Sequence, residues 1–303
     1  MFRRLLILAF IATFSLPAVA QAPGAMAPLE RLRSNIERIT KGINARWGIY
    51  MKCLETGDEI ALGAEEPMDT MSVIKIPLMV EAYRQVEAGT IKLDDRYLLK
   101  DEDKRPGTGV IGTLDAGASL SIKDLITLMN TVSDNTATDI LFAKVGGVDP
   151  VNALMAEYGL KSIRATGPTD VWFKALRDAG DAAKFHAEAK TPFGLASPRD
   201  IGRLLEKIAR GEAVSKKASD AMLSIMRRQV YRSRIPRYVT GYAIPHKTGD
   251  FLPYIGNDVG LLESPGRRVV LVIFTAQHYG VGAQLEDAIG RVAEQVADYY
   301  ATR

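Results

Sequence analysis

Asp258-Val-Gly-Leu-Leu262 and Val269-Val-Leu-Val-Ile-Phe-Thr-Ala276 lie seven residues apart near the C-terminus, with Pro265-Gly266 between them. Both runs are short and mostly apolar, and the second is rich in β-branched side chains, so they read as strands. The short connection favours antiparallel pairing. A further strand is expected upstream, from Gly241 to Gly249. At the other end of the chain, two strand-like runs between Trp47 and Leu62 flank Glu55-Thr56-Gly57-Asp58, a sequence suited to a hairpin turn. Between these ends the signals are helical. Residues 73–88 end at Gly89, Ser121-Ile-Lys-Asp124 resembles a capping box, and 136–144 stop at Gly146-Gly147. Asp149-Pro150 and Ser197-Pro198 open two more helices. Leu29, Leu32, Ile36 and Ile39 give an N-terminal amphipathic helix, and 286–300 a C-terminal one. The expected fold is therefore α/β plus all-α: an antiparallel sheet built from both termini with flanking helices, and an inserted helical domain. The expected boundaries are 23–75 and 211–303 for the α/β domain and 76–210 for the helical one, with a cleft at the seam.

The chain has 303 residues, 47% hydrophobic and 25% charged, with a formal charge of +3. This excludes disorder and fibrous repeats. One cysteine, Cys53, excludes a disulfide framework, and three scattered histidines offer no helix-borne metal site, so no metal and no cofactor is expected. Phe2-Arg3-Arg4, the apolar run Leu5 to Leu16, Pro17 and Ala18-Val19-Ala20 read as a signal peptide over residues 1–20, cleaved near Ala20. The expected product is periplasmic or secreted, without a stable membrane anchor, and a monomer. Losing Arg3 and Arg4 takes the charge from +3 to +1, which argues against nucleic acid as a partner.

Three short motifs carry chemistry. In Ser72-Val-Ile-Lys75 a hydroxyl and an amine three residues apart share a helix face, and serine needs such a base to act as a nucleophile. The hydroxyl also sits at a helix N-terminus, where a developing oxyanion is stabilised. In Ser133-Asp-Asn135 the serine can relay a proton, and the asparagine can bind a carbonyl or steady a lysine. In Lys247-Thr-Gly249 a lysine and a hydroxyl offer a carboxylate site, and the glycine lets a substrate approach the strand. Each is weak alone, but their joint chance occurrence is about one in a thousand.

With these motifs in this order, 61 and 114 residues apart, the sequence resembles the penicillin-recognising serine hydrolases, most closely the class A β-lactamase group. Ser133-Asp-Asn-Thr-Ala-Thr-Asp139, Ser197-Pro-Arg-Asp200 and Gly256-Asn-Asp-Val259 extend the resemblance over nearly all of the mature chain. It implies a small-molecule substrate, a β-lactam or a cell-wall peptide. It also implies that Ser72 attacks the lactam carbonyl, that Lys75 is its base and that Ser133 passes a proton to the departing nitrogen. Asn135 would bind the substrate side-chain amide, Lys247 and Thr248 the carboxylate region. Gly249 lines that strand, and the backbone N–H groups of Ser72 and Asp250 would form the oxyanion hole.

The family's E-x-x-L-N pattern, whose glutamate activates the deacylating water, is absent. Asp170 in Asp170-Val-Trp-Phe-Lys174 is the nearest local match, with Asp181 and Glu188 as further acids in a loop that reads as long. Asp250 places an acid beside a strand expected to bind an anion. In the run Arg227, Arg228, Arg232, Arg234, Arg237 one arginine could hold the substrate carboxylate while the rest face solvent. Gly107-Thr-Gly109 reads as cleft-lining loop, and Trp47 and Trp172 as core. Beside β-lactam hydrolysis, two alternatives stay open: a D,D-peptidase-like or other cell-wall peptide or ester hydrolase, and a penicillin-binding protein that acylates without efficient turnover.

Overall fold

A computed structural model describes residues 27–301 apart from 189–190; the signal-peptide reading falls outside the described residues. In chain order the elements are α1 (Pro28–Lys41), β1 (Arg46–Cys53), β2 (Glu59–Leu62), β3 (Met68–Asp69), α2 (Lys75–Glu87), β4 (Arg96–Leu98), β5 (Ser119–Ser121), α3 (Ile122–Thr131), α4 (Asn135–Val145), α5 (Val148–Glu157), β6 (Arg164–Ala165), α6 (Thr169–Ala179), α7 (Ala182–Glu188), β7 (Gly194–Ala196), α8 (Pro198–Arg210), α9 (Lys216–Met226), β8 (His246–Phe251), β9 (Ile255–Ser264), β10 (Arg267–Ala276) and α10 (Gly282–Ala301).

The sheet joins the two ends of the chain in the order β2-β1-β10-β9-β8, antiparallel throughout. β10 explains why its sequence is apolar without interruption. Val270, Val272 and Phe274 enter the core shared with α8 and the helices beyond it, while Val269, Leu271 and Ile273 enter the core under α1 and α10. A strand covered on both faces has no polar side, and each such side chain contributes roughly 1.5–3 kcal/mol by leaving water. On the helical side α2 is the hub, contacting α3, α4, α5 and α9, with most of its side chains buried.

Local signals set most boundaries. Ser121 caps α3 in a reciprocal capping box with Asp124, Ser197 caps α8, and Gly146 and Gly211 end α4 and α8 in left-handed conformations. Three details differ from expectation. The strand expected at 241–249 spans 246–251, because Pro245 has no N–H to give a ladder and only Ala243 bridges to Glu263 ahead of it. The helix expected to begin at Asp149-Pro150 begins at Val148, so Pro150 is its third residue, still within the first turn where N–H groups lack partners anyway. The long stretch after Pro168 folds into α6 and α7. In α6 only Thr169 and Trp172 are buried and in α7 nothing is, too sparse a pattern to read as helix. Among the described residues no helix is long and apolar enough to cross a membrane.

Candidate active site

The three motifs meet. Lys75, at the first position of α2, is fully buried, and its Nζ reaches Ser133 in the α3–α4 connection. It donates to the Ser133 carbonyl at 2.7 Å and to Asn135 Oδ1 at 2.8 Å, and lies 3.1 Å from Ser133 Oγ. From the opposite wall, Lys247 Nζ on β8 lies 3.0 Å from the same Oγ and 2.8 Å from the Thr248 carbonyl. One hydroxyl is thus held between two amines that approach from different parts of the chain.

Burial and the second cation, Lys247, hold the Lys75 amine well below the ordinary lysine range, against the pull of Asp134, Asp139 and Asp250. Burial likewise brings Lys247 down to about 7, opposed by Asp250 and Asp258. A neutral Lys75 has two N–H groups, which its two acceptor-only partners use, leaving a lone pair for a hydroxyl. Among the described residues no hydrogen bond to Lys75 comes from a carboxylate; the Phe193 ring centroid lies 6.0 Å from Nζ.

Ser72 lies one turn before Lys75, half-buried, in the 3-10 turn Met71–Ile74. That turn is anchored from three sides. Met71 takes φ 45°, and its N–H donates to Asp69 Oδ1 at 2.9 Å. Burial pushes the Asp69 carboxyl up to about 6 although Met71, Phe193 and Gly194 donate to it. Asn257 Nδ2 on β9 donates to the Asp69 carbonyl at 2.8 Å. Finally β8 presses directly on the turn at Gly249, where a Cβ would stand 2.5 Å from the Thr70 carbonyl and 3.1 Å from the Ser72 amide. Only glycine permits that approach. Ser133 is also in the left-handed region, at φ 56°. Two of the non-glycine residues in the left-handed region thus lie here, one beside Ser72 and one at Ser133 itself, the kind of strain that functional sites retain.

Asp134, between the two useful side chains of its motif, has a scaffolding part. It caps α4 through Ala137 N–H and accepts from Val110 and Ile111 N–H at 2.6 and 2.8 Å. This draws the Gly107–Gly109 loop to the cleft wall, where Thr108 Oγ1 donates to the Ser133 carbonyl at 2.7 Å. Asn135 also donates to the Pro106 carbonyl at 2.8 Å. Thr248 Oγ1 is buried without a hydrogen-bond partner.

Asp170 is not gathered in. It lies exposed in the first turn of α6, its backbone N–H 3.3 Å from Asp139 Oδ2. Asp181 caps α7 by accepting from Lys184 N–H, and Glu188 lies exposed at the end of that helix. Trp172 is core, edge-on to Phe173, Phe185, Phe193 and Phe251, and Trp47 is partly buried over the α1–α10 core. Of the arginine run, Arg227 pairs with Glu263 in the open, whereas Arg234 is buried and pairs with Asp250 and Glu286. Sequence reading missed Asp69 and Asn257 as supports of the serine turn; the only available signal was Asn257 within Gly256-Asn-Asp-Val259. Among the described residues no group of three metal-ligating side chains gathers.

Known proteins carry the same architecture. The family model described as the beta-lactamase enzyme family matches residues 31–300. Beta-lactamase VEB-1 of Pseudomonas aeruginosa is 23% identical over 290 residues, covering 90% of this chain and 92% of that one. A beta-lactamase structure from Sphaerobacter thermophilus superposes with a TM-score of 0.77 at 28% identity, over 90% of this chain and 97% of its own. PBP-A matches equally well, at TM-score 0.77 and 25% identity over 90% and 97%, and a point mutant of it is known as an acyl-enzyme with penicillin G. With a family match spanning nearly the whole described chain and a shared fold, the chain belongs to the beta-lactamase enzyme family, as a serine β-lactamase-like hydrolase.

Proposed function

We propose that the protein opens β-lactam amide bonds through an acyl-serine intermediate on Ser72. The observation that carries this is the convergence of Lys75 and Lys247 on Ser133 Oγ, with Ser72 one turn before Lys75 in the chain. Neutral Lys75 takes the Ser72 proton as Oγ bonds to the carbonyl carbon. Substrate binding brings hydroxyl and amine into line, since catalytic hydrogen bonds tighten in the complex. The oxyanion lies between the Ser72 and Asp250 backbone N–H groups. As the C–N bond breaks, Ser133 gives its proton to the ring nitrogen and recovers one from Lys75. Asn135 steadies Lys75 and meets the substrate's side-chain amide, and Thr248 Oγ1 supplies a hydroxyl that has no partner of its own.

The site sits between an α/β domain, 23–75 with 211–303, and a helical domain, 76–210, with α8 as the layer both share. We place the mature protein outside the cytoplasm, after cleavage near Ala20, because the N-terminal sequence carries that address.

A second reading is favoured by one feature: among the described residues no carboxylate hydrogen-bonds Lys75, so none of them is placed there as a base for the water that would release the acyl group. On that reading the protein acylates and turns over slowly. Intact-mass spectrometry after addition of a penicillin, beside a chromogenic cephalosporin assay, tests both. An adduct on Ser72 that decays with sustained cephalosporin hydrolysis supports the β-lactamase reading. An adduct that persists after one equivalent supports the slow one. No adduct and no hydrolysis overturns both, and release of D-alanine from a cell-wall peptide would then point to a peptidase.

A further inference from the structure

β8 is the edge strand of the sheet, and its alternation puts Thr248 and Asp250 on one face. The family resemblance expects an anionic substrate group there. Arg234 is a cation brought to Asp250 by the segment that straps the two walls together. At one end Gln229 Nε2 donates to the Asn130 carbonyl at 2.7 Å and Val230 N–H to the Thr131 carbonyl at 3.1 Å. At the other, Arg234 donates to the Asn257 carbonyl at 2.8 Å and Ile235 N–H to Asp258 Oδ2 at 3.0 Å.

Arg234 is spent before any substrate arrives. Its side chain is 3% exposed and its guanidinium faces two carboxylates, Asp250 and, at 3.1 Å, Glu286. The member of this cluster that looks outward is the acid: the Asp250 side chain is 30% exposed. Lys247 and Arg234 stand against Asp250, Glu286 and Asp258, the last also 2.9 Å from His246 Nδ1. A carboxylate brought next to Thr248 meets the like charge of Asp250, and the guanidinium beside it is already paired with two carboxylates.

We propose that Asp250 determines specificity, so that the position beside Thr248 takes an uncharged or cationic group. The preferred acyl donor then carries an ester, an amide or an ammonium where a free carboxylate would otherwise lie. This rests on acylation of Ser72 and adds a substrate class to it.

The test compares benzylpenicillin with its uncharged methyl ester by intact mass, as second-order rate constants for adduct formation in the wild type, Asp250→Asn and Asp250→Thr. Removing the charge is expected to raise the ratio of acid rate to ester rate at least about tenfold, the scale of one unit charge at short range in a partly exposed site. Raising salt in the wild type should speed the acid and not the ester, a readout that needs no variant to fold. Equal effects on acid and ester, or a wild-type acid rate that falls with salt, would overturn the proposal while leaving Ser72 acylation standing. If neither compound forms an adduct on any variant, the acyl-serine reading fails and the specificity falls with it.

Discussion

The two walls that flank Ser72 are built to different standards. Where Lys75, Ser133, Asn135 and Lys247 meet, each side chain is buried and each amine has its hydrogen-bond partners within about 3 Å. The α6–α7 segment, to which the sequence resemblance points for a deacylating acid, is held by aromatic edges around Trp172 and by the Asp139 carboxylate at the start of α6, and it turns its acids outward. On the acyl-serine proposal the first wall supplies a lysine held below its ordinary range and a hydroxyl within reach of it. The second has nothing comparable for water. Acylation and release are therefore expected to respond to different residues.

The hardest blow to the first wall is Ser72→Ala. Without the attacking oxygen, acylation should fall by at least about 10^4-fold, with no adduct by mass. A surviving adduct would place the nucleophile elsewhere. Lys75→Ala comes next, at roughly 10^2- to 10^4-fold, the usual worth of a positioned base. Its adduct mass should be unchanged while its rate of formation drops.

Lys247→Gln probes the electrostatics more finely. In the wild type the acylation rate should rise with pH along a limb set by Lys75 losing its proton, below the ordinary lysine range. Lys247 contributes to that lowering, because a neighbouring cation disfavours the charged amine. Taking the charge away lets Lys75 hold its proton longer, so the limb should move to higher pH even as the rate falls. A limb that stays in place would remove Lys75 as the base.

Much of this was legible in the sequence because it is local or periodic. The apolar runs at 258–262 and 269–276 announce strands, Ser121 and Ser197 announce helix starts, and the three motifs name the side chains that converge. What stayed hidden is what the tertiary contacts impose. The positive φ of Met71 and Ser133 cannot be read from residue types that usually avoid it, and it exists only because Asp69, Asn257 and the α3–α4 junction hold it. The pairing of Arg234 with Asp250 was half visible, as an arginine run and an odd acid, but the strap that joins them depends on long-range carbonyl contacts. The helices α6 and α7 bury too few side chains to leave a periodic trace.

The mildest change expected is Asp170→Asn, on the second wall. The residue is exposed in the first turn of α6, where a negative charge gains a few tenths of a kcal/mol from the helix dipole. Its loss should cost stability on that scale and leave melting nearly unchanged. Release of a preformed penicillin adduct, followed by the decay of its mass, should stay within about twofold of wild type, because the carboxylate shares no hydrogen bond with Lys75. A drop of tenfold or more would mean that α6 closes on the acyl-enzyme and carries Asp170 to the water. The contrast between the two walls would then describe only the resting enzyme, since the acid that α6 turns outward would be turned in by the substrate.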